Sequence, residues 1–144
     1  MSETFVVAVD GSPGSERALQ MAIDLGKTDN ATIALVHVIE WSAFSFHTPE
    51  ELAERHKRRE EELDRANDAV LGPGEKVVKA AGLGCETIVQ HGHPAETLVK
   101  IAEDKGAQNI FIGRKGQSKM GSLLFGSVAG SLVQISPVPV TVVP

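Results

Sequence analysis

Gly113, Gly116 and the pair Gly126-Ser127 have the residue types and the spacing, G-x2-G-x9-G-S, to hold an anion on bare backbone. Glycine serves where φ must be positive or where main chain must approach a ligand closely. A helix start adds unpaired N–H groups and partial positive charge. The apolar run Ile110-Phe111-Ile112 ends at Gly113, and VAGSLVQI after Gly126-Ser127 reads as a helix, so the glycines lie between a strand end and a helix start. Such a loop forms a cradle of main-chain donors suited to phosphate groups. The competing reading is that the same glycines serve only a tight turn and close helix packing.

Other chemistry-bearing residues are read beside this loop. Asp10 follows the apolar run TFVVAV, at a strand's carboxyl end, where open α/β sheets bind ligands. It suits either a polar contact to ribose, phosphate or a divalent metal, or an Asx turn that closes its own loop. Arg114 and Lys115 fill the slot between the first two glycines and could help neutralise a polyphosphate. The turn after the first strand carries no G-x-G-x-x-G and no G-K-[ST], which argues against a dinucleotide fingerprint and a P-loop. A phosphoacceptor site of the receiver type needs acidic strand ends, but the third apparent strand ends in Gln90-His91. His37 lies in an apolar strand and reads as a satisfied core histidine, not a catalyst. His91 and His93 stand two apart, as strand-borne metal ligands would, yet no third donor is near in sequence, so they read as loop histidines. Trp41, Phe44 and Phe46 cluster in one connection, either as a flap over a pocket or a partner surface, or as a cover on one end of the core.

The segment GRKGQSKMGSLLFGSVAGSLVQISPVPVTVV, with VAVDGS near the start and LVHVIE after the first helix, resembles the universal stress protein family in its nucleotide-binding branch. The similarity runs from about Thr4 to Val143. The resemblance implies an adenine nucleotide alpha hydrolase-like fold that binds ATP, with ADP or AMP as alternatives, together with Mg2+ or Mn2+ at Asp10. Carried over position by position, Gly113 and Gly116 would give amides to the phosphates. Gly126 would allow close approach, and Ser127 would offer its hydroxyl and amide. The backbone of Val38 would pair with the adenine edge, and Ala8, Val9, Asp10, Ile112, Arg114 and Val128 complete the implied nucleotide-binding set. The family's last strand mediates a homodimer, with further pairing into tetramers left open. The function implied is a nucleotide-dependent stress or signalling regulator with no catalytic residue. A slow ATPase or an autophosphorylating protein, with Ser118 or Ser127 as acceptor, stands as one alternative, and a nucleotide-free dimeric interaction module as another.

These residues must be positioned by one domain, since 144 residues suit a single core. A formal charge of −5 argues against non-specific nucleic-acid binding. The single cysteine, Cys85, excludes an internal disulfide and reads as a core residue in a strand. No secretory leader precedes Phe5 and no apolar run approaches about 18 residues, so a cytoplasmic location without membrane insertion is expected. The pattern predicts strands over Thr4–Val9, Ala31–Ile39, Cys85–Gln90, Asn109–Ile112 and Val138–Val143. The first helix should pack through Ala18, Leu19, Ala22, Ile23 and Gly26. Thr48-Pro49-Glu50-Glu51 is a capping box for a second helix. Its face Leu52, His56, Arg59, Leu63, Ala66, Val70 is part polar, so its first turns should overhang the sheet. Gly72-Pro73-Gly74 should kink or break that helix, and VVKAAG should resume it as far as Gly82. A further helix after Pro94 carries the clean face Ala95, Leu98, Val99, Ala102 and stops at Gly106. Strands alternating with helices give a doubly wound α/β domain over residues 1–144, a five-stranded parallel sheet in the order 3-2-1-4-5 with helices on both faces.

Overall fold

The computed structural model describes residues 3–40, 49–116 and 126–144, with Leu52 described in its backbone only. Its frame is a five-stranded parallel sheet of β1 (Thr4–Ala8), β2 (Thr32–Glu40), β3 (Cys85–Gly92), β4 (Asn109–Gly113) and β5 (Val140–Val143). The strand order is β3-β2-β1-β4-β5, as the alternation of strand and helix predicts. The helices are α1 (Pro13–Asp29), α2 (Pro49–Ala66), α3 (Gly72–Ala80), α4 (Pro94–Asp104) and α5 (Ser127–Ile135).

The two faces of the sheet bury separate cores, which is why the central strands read as unbroken apolar runs. On one face Phe5, Val7, Ile33, Leu35 and Phe111 pack against α1 and α3. On the other Val6, Ala34, Val36 and Ile110 pack against Leu98, Ile101 and Ala102 of α4 and Ala129 and Leu132 of α5. Every residue expected on the inner face of α1 is buried, down to Gly26. The α4 face is also as expected, with Val99 packed at its margin and Gly106 ending the helix at φ +61°.

The second helical region departs most from expectation. No described residue between Pro49 and Val70 is buried, although Glu62 of α2 comes within 3.6 Å of His91 of β3. Its half-buried positions are Arg55, Arg59, Leu63 and Ala66, followed by Asn67 and Val70 of the next turn, with His56 turned out to solvent. At Gly72-Pro73-Gly74 the helix does not break. A π-helical turn, Asn67–Leu71, precedes α3, and Gly72 keeps helical angles (φ −53°, ψ −48°). Proline lacks an N–H and crowds the carbonyl four residues back, and a widened turn ahead of it accommodates both defects. Leu71, carried on that turn, is fully buried.

Strand limits shift by one or two residues. β1 stops at Ala8, one short of the expected Val9, while β2 continues to Glu40. That mismatch shapes the cleft. The Trp41-Phe44-Phe46 loop, the Thr48 cap and Ser118 lie outside the described residues.

Candidate functional site

The strand order reverses between β1 and β4, and a cleft opens over their carboxyl ends, where doubly wound sheets place ligands. It holds about 870 Å³ of empty space, including its open mouth. Ala8, Val9, Asp10, Val38, Ile112, Gly113, Arg114, Gly116, Gly126, Ser127 and Val128, the residues singled out from the sequence, all line it.

One wall is the turn after β1. Gly11 has φ +80°, which favours glycine, and Ser12 caps α1 by accepting from the Ser15 amide at 3.2 Å. Asp10 Oδ1 accepts from the Ser12 amide at 2.9 Å and from the Ser12 hydroxyl. Asp10 therefore does form an Asx turn, and it lines the cleft as well. Its Oδ2 lies 2.8 Å from where a Cβ on Gly116 would stand, so a side chain there would have to displace the Asp10 carboxylate.

The opposite wall is the end of β4 and the start of α5. A Cβ on Gly113 would lie 2.7 Å from the carbonyl carbon of Gly14, and one on Gly14 would lie 2.8 Å from the Lys115 oxygen. The missing side chain at Gly113 is thus explained by the crossing of α1 and the β4 loop, before any ligand is invoked. Gly126 folds back, its amide donating to the Arg114 carbonyl at 2.7 Å. It also caps α5 without any side-chain hydrogen bond, and the first intrahelical bond runs from Gly130 N–H to Gly126 C=O. The amides of Ser127, Val128 and Ala129 precede that first bond, and none has an acceptor among the described residues. Arg114 and Lys115 are exposed, and neither is paired among the described residues.

The third wall is the rim of β2, unpaired beyond Val36 on its β1 side among the described residues. Val9 N–H donates to Val36 C=O at 2.8 Å, the last bond between these strands. Even-numbered residues of β2 present their main-chain groups to β1, as Thr32 and Val36 do, while Ile33 turns to the β3 side. Val38 and Glu40 hence direct N–H and C=O toward a neighbour that has already turned away. His37 is not a core residue as expected but half-buried at the cleft, and its Nδ1 donates to the Val9 carbonyl at 2.7 Å. Side chains of Val36 and Val38, with Pro94 and Leu98 of α4 and Ala129 of α5, make this end of the cleft apolar.

Sequence reasoning missed Ser12, Ser15, Val36, His37, Glu40, Pro94, Leu98 and Ala129 as cleft residues. Strand alternation would have put Glu40 on the same face as Val36 and Val38. Nothing local signals that Pro94 and Leu98 lie opposite. The two histidines do not come together as metal ligands: His91 lies within β3, not in a loop, with Nε2 3.6 Å from Glu62 of α2, and His93 precedes α4. Among the described residues no group of three His, Cys, Asp or Glu side chains could hold a metal ion. No helix among them is long and apolar enough to cross a membrane. Burial, with Glu75 adding to it, pushes the Cys85 thiol up to about 11, on the edge of the α3-side core and away from the cleft.

Together these features define a doubly wound α/β protein with a cleft at its topological switch point, rimmed by glycine backbone on one side and, on the other, by a strand edge that is unpaired among the described residues. The chain belongs to the universal stress protein family, whose model matches residues 1–144. Universal stress protein YxiE of Bacillus subtilis (strain 168) is 31% identical over 152 residues, covering 99% of each chain. Two solved structures share the fold. A universal stress protein in complex with cAMP has a TM-score of 0.71 at 24% identity, covering 99% of this chain and 97% of that one. The universal stress protein from Archaeoglobus fulgidus in complex with dAMP has a TM-score of 0.66 at 20% identity, covering 100% and 98%.

Proposed function

We propose that this chain binds an adenine nucleotide across the carboxyl ends of β1 and β4 and acts as a nucleotide-dependent regulator, not as a fast catalyst. The observation that carries the proposal is the start of α5: a glycine cap with no side chain, opening its first amides onto the cleft. Relatives solved with cAMP and dAMP support the ligand class, since both molecules join adenine to a sugar and a phosphate.

In this reading the base lies in the apolar end, its edge paired with the Val38 main chain, which offers one donor and one acceptor as a purine edge requires. The sugar crosses β1 beside Asp10. The phosphates extend over Gly116 toward Ser127 and Val128, and Arg114 and Lys115 offset the charge of a triphosphate. ATP with Mg2+ fits this layout. Bound metal would supply charge neutralisation on the phosphates, and Asp10 is the carboxylate in the cleft wall nearest to Gly116. Regulation would follow if nucleotide binds one loop or oligomer arrangement better than another. The oligomer proposed is a homodimer through the outer edge of β5. There Val140 and Val142 direct their main-chain groups away from β4, because Pro139 and Val143 are the residues that accept from it.

The test is thermal unfolding and calorimetry with ATP, with and without Mg2+, alongside a phosphate-release assay. Ligand at 100 times its Kd should stabilise the fold by about 2.7 kcal/mol. An unmoved melting curve with no heat of binding would overturn the proposal, and turnover of several ATP per minute would replace the regulator by an enzyme.

A further inference from the structure

Glu40 is the last residue of β2 and the one carboxylate of the cleft on the free rim beyond Val38. Strand alternation directs its side chain to the face of Val36 and Val38, against which α4 packs. Two residue steps of strand carry it beyond Val38, roughly 6.6 Å along the rim at 3.3 Å per residue, within reach of a glutamate side chain turned back toward the base end. The side chain is exposed and, among the described residues, makes no hydrogen bond or ion pair. A carboxylate accepts only. From the placement of this acceptor at the apolar end of the cleft, we infer that Glu40 sets base specificity, selecting purines with an amino group at position 6 over those with an oxygen there.

The inference rests on the nucleotide reading above and goes beyond it. A 6-amino group carries two hydrogens. One is taken by the Val38 carbonyl when the base edge pairs with the strand, and the second is left for Glu40. A 6-oxo purine such as hypoxanthine presents an acceptor at the same place, so it faces the Val38 carbonyl and the Glu40 carboxylate with lone pairs opposed. Specificity of this kind comes as much from repelling the wrong ligand as from holding the right one.

The experiment compares ATP with inosine triphosphate, which differs at position 6, by competition calorimetry on the wild type, Glu40→Gln and Glu40→Ala. Glu40→Gln keeps the size and can turn an amide N–H toward an oxygen, so the ATP preference should fall about tenfold or more, with part of the change appearing as tighter inosine triphosphate binding. Glu40→Ala should lose ATP affinity without that gain. Glu40 is exposed at a strand end, so melting temperatures without ligand should agree among the three proteins. An ATP preference unchanged in both variants, with ATP still bound, would overturn the inference and leave the nucleotide reading intact. A wild type that binds neither triphosphate would overturn both.

Discussion

Two of the glycines in the G-x2-G-x9-G-S loop should fail in different ways when a side chain is added. At Gly113 a new Cβ would lie 2.7 Å from the Gly14 carbonyl carbon, 2.9 Å from its oxygen and 3.1 Å from its Cα. Carbon atoms rest about 3.5–4.0 Å apart, so α1 and the end of β4 must separate by close to 1 Å. All the atoms concerned are backbone, and no rotamer change can relieve them. Gly113→Ala should therefore cost about 2–3 kcal/mol, at the upper end for overpacking, and lower Tm by roughly 6–10 °C for a chain of this size. At Gly126 the nearest atom to a new Cβ is the Gly116 amide nitrogen at 3.3 Å, followed by the Arg114 oxygen at 3.5 Å. Its φ of −69° suits any residue. Gly126→Val should keep the fold, with a loss of about 1 kcal/mol or less, while its methyl groups push the loop from the helix start and reduce ATP affinity more than tenfold. Thermal unfolding measures the first effect and calorimetry the second. The reasoning is refuted if Gly113→Ala melts like the wild type, or if Gly126→Val binds ATP as tightly as the wild type does.

Further outcomes follow from other contacts. Ser12→Ala removes the α1 cap and a donor to Asp10, and should lower stability by about 1 kcal/mol in urea titration. Cys85, with its thiol raised to about 11, should react with iodoacetamide at pH 8 at least tenfold more slowly than a free cysteine peptide. Because the folded value is above the unfolded one, the neutral thiol's contribution is intact below about pH 9 and is lost as pH rises from there through about 11, which melting curves of wild type and Cys85→Ala should register. Val142→Pro removes an edge amide that β4 does not use, so light scattering should find the monomer with the fold kept. A persistent dimer would exclude pairing through β5.

How much of this was visible in the sequence depends on whether the cause was local. The faces of α1 and α4 follow the helical repeat, and the buried strands follow their apolar runs, because a layer covered on both sides demands both patterns. The glycine loop was legible for the same reason, lying within one strand-to-helix connection. The contact of Gly14 with Gly113 was not, since it joins segments at opposite ends of the chain and neither segment alone requires it. The open rim at Val38 depends on β1 stopping at Ala8 while β2 runs on to Glu40, a difference between neighbours that no single strand encodes. The π-helical turn before Pro73 was hidden because wider turns have no residue signature, and α2 has too little apolar surface for periodicity to set its inner face.

The central claim is that unpaired main-chain amides, at the start of α5 and on the rim of β2, hold the ligand. Titrating ATP and Mg2+ into 15N-labelled protein and following each amide by NMR tests it directly. The account predicts that Gly116, Ser127, Val128 and Val38 shift together, with one saturation curve. Saturable binding that leaves those four amides unmoved and shifts residues elsewhere would contradict it.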